Sequence, residues 1–316
     1  MILKRFWPVV TEAFLAILGF IMTRTPLWFN RFCMDAAFVC FYPLVRILLS
    51  YKKTLSKNLT MIYGDSMTRR QIRRIANSCM RNIVRMPGDV LYYGAPAHHG
   101  RLERDISITG REHIEKALEK GKGIVGLGAH MTNFLLLTIR LAQSDIPFIV
   151  LIKDPDNEIV REKLREWRDT SGVISIDVGV KDKGMSDILE AFKDNQIVYF
   201  IADERRKRNA MLVPFFGRPA YTAVGPAVLS KKTGAPIVPI FIAKRDGGFF
   251  IDIMPPIEDS STDDYDNDIR VITERANGAI EQYIRKYPDQ WLWSRPRWKP
   301  ARETGGAGQK DGKRHH

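Results

Sequence analysis

The pattern of apolar and polar positions divides the chain into two parts. Up to about residue 95, apolar residues recur with a spacing near 3.6, which predicts helices throughout this part. From about residue 105, short apolar runs alternate with helical segments. That alternation is typical of an α/β fold, in which helices cover a central sheet. We therefore predict a mixed central sheet flanked by helices, preceded by a helical N-terminal region.

Seven short apolar runs are the candidate strands of this sheet: 106–108, 123–129, 148–152, 173–176, 197–202, 237–242 and 249–253. Helical spacing predicts helices at 111–120, 158–170, 185–194, 224–233 and 268–286. Upstream of the sheet, Thr68 is a suitable N-cap for a basic helix that would run to Met86. Pro87 and Gly88 would then end or bend this helix.

The N-terminal fifty residues are predicted to associate with a membrane. The block 6–22 is strongly apolar but contains Pro8 and Glu12, and a second block, 36–45, is bounded by charges. A bilayer span takes about 20 apolar residues, so the first block is a marginal span and the second is too short. A helix in the membrane interface and a hairpin packed on its own domain stay open as alternatives.

These patterns predict three regions along the chain. Residues 1–50 form a membrane-associated helical anchor, and residues 51–300 form the α/β domain. Residues 301–316 are rich in glycine, lysine and polar residues, which is typical of a disordered tail. The two histidines at the end of this tail are therefore not site candidates.

The charge of the chain narrows the choice of partners. Forty-nine Lys and Arg residues against 36 Asp and Glu residues give a net charge of +13. Such a balance suits an anionic membrane face, an acidic carrier protein or a nucleic acid. The basic residues are not interleaved with aromatic residues on one predicted face, so we do not expect nucleic acid. The three cysteines lack metal-ligand spacing, and we predict no metal site.

The first candidate catalytic motif lies at the end of the predicted buried strand 123–129. The run 126–134 reads GLGAHMTNF and leads into a helix. In open α/β sheets, ligands gather at the carboxyl ends of strands, where glycines let a ligand approach the backbone. His130 is therefore a candidate general base, because an imidazole can take a proton from one group and return it to another. The alternative is a histidine that only satisfies the strand end by hydrogen bonding.

Two further motifs follow later strands. Asp203 and Glu204 come directly after the predicted strand 197–202, and four cations follow them at 205–208. The cations could hold a phosphorylated group while one carboxylate orients a base, although a solvated charged loop is the alternative. The segment 213–222 reads VPFFGRPAYT and could line an apolar groove or form a structural corner.

Several motifs occur in an order that is found in one enzyme family. They are Gly-Ala-His at 128–130, Val-Pro-Phe-Phe-Gly from 213 with Ala220 and Thr222, Thr-Gly-Ala-Pro-Ile-Val-Pro at 233–239, Gln-Trp-Leu-Trp at 290–293 and Arg-Trp-Lys at 297–299. With these motifs the chain resembles the lauroyl/myristoyl acyltransferases of lipid A biosynthesis over about residues 25–300.

The resemblance implies a fold similar to that of the glycerolipid acyltransferases. It also implies acyl transfer from an acyl carrier protein or coenzyme A thioester to a hydroxyl or amine of a lipid, foremost a phosphorylated glycolipid such as a lipid A precursor. His130 would be the general base, and no metal or redox cofactor would be required. The protein would act at an anionic membrane surface, the cytoplasmic face of the bacterial inner membrane.

The chain departs from the family's defining motif, a histidine followed five positions later by Asp or Glu, because position 135 is Leu. An orienting carboxylate matters, since loss of the equivalent group in a serine protease lowers turnover about 10⁴-fold. We expect Asp203 or Glu204 to replace this acid, with the amide of Asn133 as a neutral alternative. A catalytically degenerate lipid-binding relative is the alternative function.

Two other departures concern substrate contacts. Lys153 stands where the family places an arginine, and Ser-Arg-Pro at 294–296 stands where it commonly has a histidine. Lys153 and Arg205 are predicted to stabilise the thioester oxyanion or to bind an acceptor phosphate, with surface cations as the alternative. Phe216 and Thr222 are predicted substrate contacts within the aromatic segment.

Overall fold

A computed structural model describes residues 24–26, 28–33, 35–36, 51–179, 183–206, 208–246, 248–259 and 262–298. Most of the predicted anchor at 1–50 and the whole predicted tail at 301–316 lie outside these residues. Among the helices that the described residues form, none has both the length and the apolar character that a bilayer span requires.

Within the described part of the chain, two long helices precede the sheet, α1 (Tyr51–Tyr63) and α2 (Arg69–Gly94). Thr68 caps α2 as predicted, because its hydroxyl accepts from the backbone N–H of Gln71 while the Gln71 side chain accepts from the backbone N–H of Thr68. The prediction that the helix stops near Met86 was wrong, since α2 continues through Pro87. Six residues of its last two turns are buried, and this packing outweighs the hydrogen bond that proline cannot make.

The rest of the domain alternates between strands and helices after a single 3₁₀ turn, Pro96–His98. Its elements are α3 (His99–Asp105), β1 (Ile106–Thr109), α4 (Arg111–Leu118), β2 (Ile124–Gly128), α5 (Phe134–Ala142), β3 (Phe148–Ile152), α6 (Glu158–Thr170), β4 (Ser175–Asp177), α7 (Lys183–Lys193), β5 (Ile197–Ile201), β6 (Ala210–Phe215), β7 (Arg218–Ala223), α8 (Gly225–Thr233), β8 (Ile237–Arg245), β9 (Gly248–Ile253) and α9 (Tyr265–Lys286).

Seven strands form the central sheet in the order β1-β9-β8-β2-β5-β3-β4. Every neighbouring pair is parallel except β8 and β9, which pair antiparallel. The seven strands correspond to the seven apolar runs, so the predicted mixed sheet flanked by helices is confirmed. β2 lies at the centre of the sheet, and all five of its residues are buried.

The segment 213–222, for which the sequence left open an apolar groove or a structural corner, lies in an antiparallel hairpin of β6 and β7. Phe216 and Gly217 make the two-residue turn, with φ angles of 53° and 68°. Such hairpin turns need positive φ values, which glycine adopts freely and phenylalanine does not. The backbone N–H of Phe216 donates to Glu281 of α9 at 2.5 Å, which helps to hold this turn.

Candidate active site

The register of two central strands places the candidate residues side by side. β2 and β5 run parallel, and Gly128 at the end of β2 pairs with Ile201 at the end of β5. The N–H of Ala202 donates to Gly128, so the pairing continues past the strand end. His130 and Asp203 each lie two residues beyond the paired position. The two side chains therefore leave the same edge of the sheet from adjacent strands.

Gly128 is required by the protein's own packing. A Cβ atom at this position would lie 1.9 Å from the hydroxyl oxygen of Tyr199 on β5. That hydroxyl donates to the carbonyl of Ile240 on β8, so Tyr199 reaches across β2. Tyr199 therefore fills the space beside Gly128, and a residue with a side chain would not fit at this position.

His130 and Asp203 form a buried contact. Nδ1 of His130 lies 2.7 Å from Oδ1 of Asp203. The backbone N–H of His130 donates to Oδ2 of the same carboxylate at 2.9 Å, and the indole N–H of Trp291 donates to Oδ2 at 2.6 Å. Because a carboxylate only accepts, Nδ1 carries a proton and Nε2 is left as the proton acceptor of the neutral ring.

The electrostatics of the site keep Asp203 ionised. Burial by itself raises the pKa of this carboxyl, but the charge of His130 and the hydrogen bonds from His130 and Trp291 outweigh that effect and lower the pKa to about 2. Asp203 is therefore a carboxylate at neutral pH. A fixed, ionised carboxylate against Nδ1 is the arrangement that orients an imidazole and stabilises its protonated form.

Glu204 lies on the other side of the imidazole. Its Oε1 is 3.5 Å from Nε2 of His130, and the same carboxylate pairs with Arg295. The Glu204 side chain is partly exposed, whereas the side chain of Asp203 is buried. Of the two predicted acids, Asp203 thus has the hydrogen-bonded position at Nδ1, and Glu204 faces the nitrogen that would exchange protons.

The segment 290–298 packs against the loop that follows β2 and carries His130. Met131 and Trp291 form an isolated antiparallel bridge, and the N–H of Leu292 donates to the carbonyl of His130 at 3.1 Å. Thr132 donates to the carbonyl of Gln290 through its backbone N–H and its hydroxyl. The loop that carries His130 is therefore pinned by this segment. The aromatic run was recognised in the sequence, but nothing there indicated that Trp291 binds the carboxylate.

Asn133 was the neutral alternative partner for the His130 imidazole, but its side chain binds a different residue. It lies just before α5 with a φ angle of 60°, and its side-chain amide donates to Asp89 of α2 at 2.9 Å. Leu135, where the family has its acid, is half-buried in α5 and packs against the hydrophobic core. Asp89 was missed in the sequence, because a lone aspartate in a helix gives no signal of its partners.

The other predicted substrate-binding residues differ in their exposure to solvent. Lys153 follows β3 at the same edge of the sheet and is exposed, and Arg205 is partly buried two residues after Asp203. Phe216 and Thr222 belong to the buried packing behind the site. Thr222 accepts from Arg297, and Phe216 packs against neighbouring aromatic rings. Their contacts with substrate stay predictions.

The known proteins that this chain resembles are acyltransferases. The chain is 25% identical over 201 residues to a phosphatidylinositol mannoside acyltransferase of Mycolicibacterium smegmatis, which covers 63% of this chain and 64% of that protein. It is 24% identical over 204 residues to the lipid A biosynthesis palmitoleoyltransferase of Escherichia coli, covering 63% of each. It is also 24% identical over 195 residues to a lipid A biosynthesis acyltransferase of Haemophilus influenzae, covering 61% of this chain and 58% of that protein.

The chain thus spans less than two thirds of the length of each of these relatives. A family model describes more of it. The model of the bacterial lipid A biosynthesis acyltransferases matches residues 8–300, which include the whole sheet and the segment that carries Trp291. This match over most of its length shows that the chain belongs to the bacterial lipid A biosynthesis acyltransferase family.

Proposed function

We propose that this protein transfers a fatty acyl group from a thioester donor to a hydroxyl or amine of a lipid, with His130 as general base. The observation that carries the proposal is the 2.7 Å contact between His130 Nδ1 and Asp203 Oδ1. It supplies an orienting acid although Leu135 occupies the position where the family has one. The buried carboxylate also argues against a degenerate relative that has lost its catalytic pair.

The proposed reaction uses both nitrogens of the imidazole. Asp203 holds Nδ1, so Nε2 takes the proton of the acceptor hydroxyl as its oxygen attacks the thioester carbonyl. The tetrahedral intermediate then collapses, the C–S bond breaks, and the protonated Nε2 returns the proton to the leaving thiolate. Glu204 must yield part of its position at Nε2 to the acceptor. Lys153 and Arg205 are the proposed cations for the oxyanion or for an acceptor phosphate.

The acceptor that we propose is a phosphorylated glycolipid, foremost a lipid A precursor. The named relatives include a phosphatidylinositol mannoside acyltransferase as well as lipid A enzymes, so both lipids belong in the assay. The donor that we propose is an acyl carrier protein thioester, with coenzyme A as the alternative. The net charge of +13 favours an acidic carrier and an anionic membrane.

Exposed apolar side chains near the site support action at a lipid surface. Ile159 and Val160 lie in the first turn of α6, the helix after β3, and Val178 follows β4. All three are exposed, with relative exposures of 61%, 47% and 44%. They lie towards the same edge of the sheet as His130, because β3, β4 and β2 run parallel. We propose that this edge faces the cytoplasmic leaflet of the bacterial inner membrane.

The proposal is tested by transfer of a radiolabelled acyl group from acyl carrier protein to lipid acceptors in detergent micelles. The acceptor panel contains a lipid A precursor, a phosphatidylinositol mannoside and a phospholipid without sugar. We expect transfer by the native protein and loss of it in His130→Gln. His98→Gln is the matched control, because Nδ1 of His98 also makes a 2.8 Å contact, to the carbonyl of Tyr92. Native protein that binds these lipids but transfers nothing would contradict the enzyme and favour the lipid-binding relative.

A further inference from the structure

Asp89 is a buried carboxylate that the proposed reaction does not use. It lies in the last turns of α2 and is 3% exposed. Its Oδ2 accepts from the side-chain amide of Asn133 at 2.9 Å, and its Oδ1 lies 3.5 Å from Nε of Arg31. A buried charge is tolerated only where such partners compensate for lost hydration. Burial raises the pKa of Asp89, and Arg31 and Asn133 oppose that rise.

Asn133 is an unusual residue in its backbone and in its side chain. Its φ angle of 60° lies in the left-handed region, which asparagine tolerates better than most residues. It is 1% exposed, and its Oδ1 has no hydrogen-bond partner among the described residues. An unsatisfied buried carbonyl oxygen costs about 1–3 kcal/mol. Among those residues, the bond to Asp89 is therefore what sets the direction of this amide.

The loop from His130 to Asn133 is fixed at separate points along its length. Asp203 binds the His130 ring and backbone, and the 290–292 segment pairs with the middle of the loop. Asp89 holds its downstream end through Asn133. The next residue, Phe134, has its ring 5.1 Å from the His130 imidazole in an edge-to-face contact. A shift of Asn133 would therefore move Phe134 and the imidazole together.

We propose that Asp89 is a positioning residue for His130, acting through Asn133. The inference rests on the proposed role of His130. Helix α2 carries the carboxylate that holds the end of the catalytic loop, although it contributes no group to the reaction itself. Displacing a reacting group by about 1 Å can lower its rate about 10²-fold, so this distant contact has a measurable effect.

Two substitutions at Asp89 separate its hydrogen bond from its charge. Asp89→Ala removes the acceptor for Asn133, and we expect kcat to fall roughly 10- to 100-fold while KM changes less than about threefold. Asp89→Asn keeps an acceptor oxygen for Asn133 but removes the ion pair with Arg31. We expect this conservative variant to retain most of kcat.

Asp268→Ala is the matched control for loss of a buried carboxylate. Asp268 is 1% exposed, lies 3.1 Å from Nζ of Lys231 and accepts from Thr262. We expect this variant to lower the melting temperature as Asp89→Ala does, but to keep kcat. Equal loss of kcat in the two alanine variants would overturn the proposal. So would an Asp89→Asn variant as inactive as Asp89→Ala, because the ion pair would then be what matters.

A spectroscopic readout keeps this proposal separate from the proposed function. In protein labelled with ¹³C,¹⁵N-histidine, the His130 ring signals are assigned by their loss in His130→Gln. We expect Asp89→Ala to shift or broaden these signals and to leave those of His98 and His113 unchanged. Unchanged His130 signals would overturn the positioning role even if acyl transfer is confirmed. If the native protein transfers no acyl group, a selective change at His130 would still support the positioning role.

Discussion

Oε1 of Glu204 lies 3.5 Å from Nε2 of His130, the imidazole nitrogen that does not contact Asp203. Two carboxylates adjacent in sequence thus face the two nitrogens of one ring. Their surroundings differ, because the side chain of Asp203 is 2% exposed while that of Glu204 is 28% exposed and shares its charge with Arg295. This difference predicts different catalytic effects for the two acids.

We expect Asp203→Asn to lower kcat about 10³- to 10⁴-fold, as loss of an orienting carboxylate does in other enzymes. Glu204→Gln should lower it less than about tenfold, because Glu204 does not bind Nδ1. Steady-state acyl transfer by the two variants checks this order. A larger loss in Glu204→Gln would show that the acid at Nε2 is the catalytic one.

Trp291→Phe removes one hydrogen bond to Asp203 and keeps an aromatic ring among its neighbours. The carboxylate that orients His130 is then less firmly placed, so we expect kcat to fall roughly tenfold. Trp293→Phe is the control, because its indole N–H donates to the carbonyl of Pro288 at 2.7 Å and not to Asp203. Equal losses of kcat in the two variants would show a packing effect only.

The pKa of Asp203 predicts how stability changes in acid. Folding lowers this pKa from 3.8 to about 2, so the carboxylate stabilises the fold above about pH 4. That contribution, on the order of 2 kcal/mol, is lost as the pH falls towards 2. Urea unfolding at pH 7, 4 and 2.5 checks this. We expect the stability difference between the native protein and Asp203→Asn to shrink with falling pH, and a constant difference would contradict the assignment.

Leu135→Glu restores an acid where the family has one. We expect no gain in kcat, because Asp203 already occupies Nδ1 of His130. The half-buried position should make the added charge destabilising by about 1–3 kcal/mol. Activity and melting temperature are measured together. A gain in turnover would mean that Asp203 is not the working partner of the imidazole.

The exposed apolar side chains that follow β3 and β4 predict contact with lipid. Ile159→Ser with Val160→Ser should weaken binding to vesicles that contain anionic phospholipid by about tenfold, and acyl transfer in micelles should change less. Leu212→Ser is the control, since this residue of β6 is comparably exposed, at 48%, on the hairpin. Equal vesicle binding by the double variant and the native protein would place the lipid contact elsewhere.

The sheet was predictable because each of its strands is a short apolar run bounded by polar residues or turns. The strand 148–152 and the helix 158–170 were predicted with their observed bounds. The carboxyl-end position of His130 and Asp203 followed from the parallel strands before them. The predicted end of α2 near Met86 was wrong because tertiary packing of the buried residues after Pro87 stabilises the helix to Gly94.

The remaining features depend on contacts between residues far apart in the chain. Gly217 suits the turn of the β6–β7 hairpin, but the sequence of 213–222 left open only an apolar groove or a structural corner. Nothing local in the sequence indicated what Trp291 and Asp89 bind. Their partners, Asp203 and Asn133, lie 88 and 44 residues away, and no periodicity of the sequence encodes such pairs.

The bridge between Met131 and Trp291 bears on the order in which the site forms during folding. It joins segments 160 residues apart, so a long stretch of chain must be ordered before His130 and Asp203 acquire their last partner. Contacts of such high sequence separation form slowly, because loop closure precedes the contact that rewards it. A nascent chain released before residue 291 would retain β2 and β5 with an incomplete site. We therefore expect the complete site only in chains whose residue 291 has been synthesised and has paired with Met131.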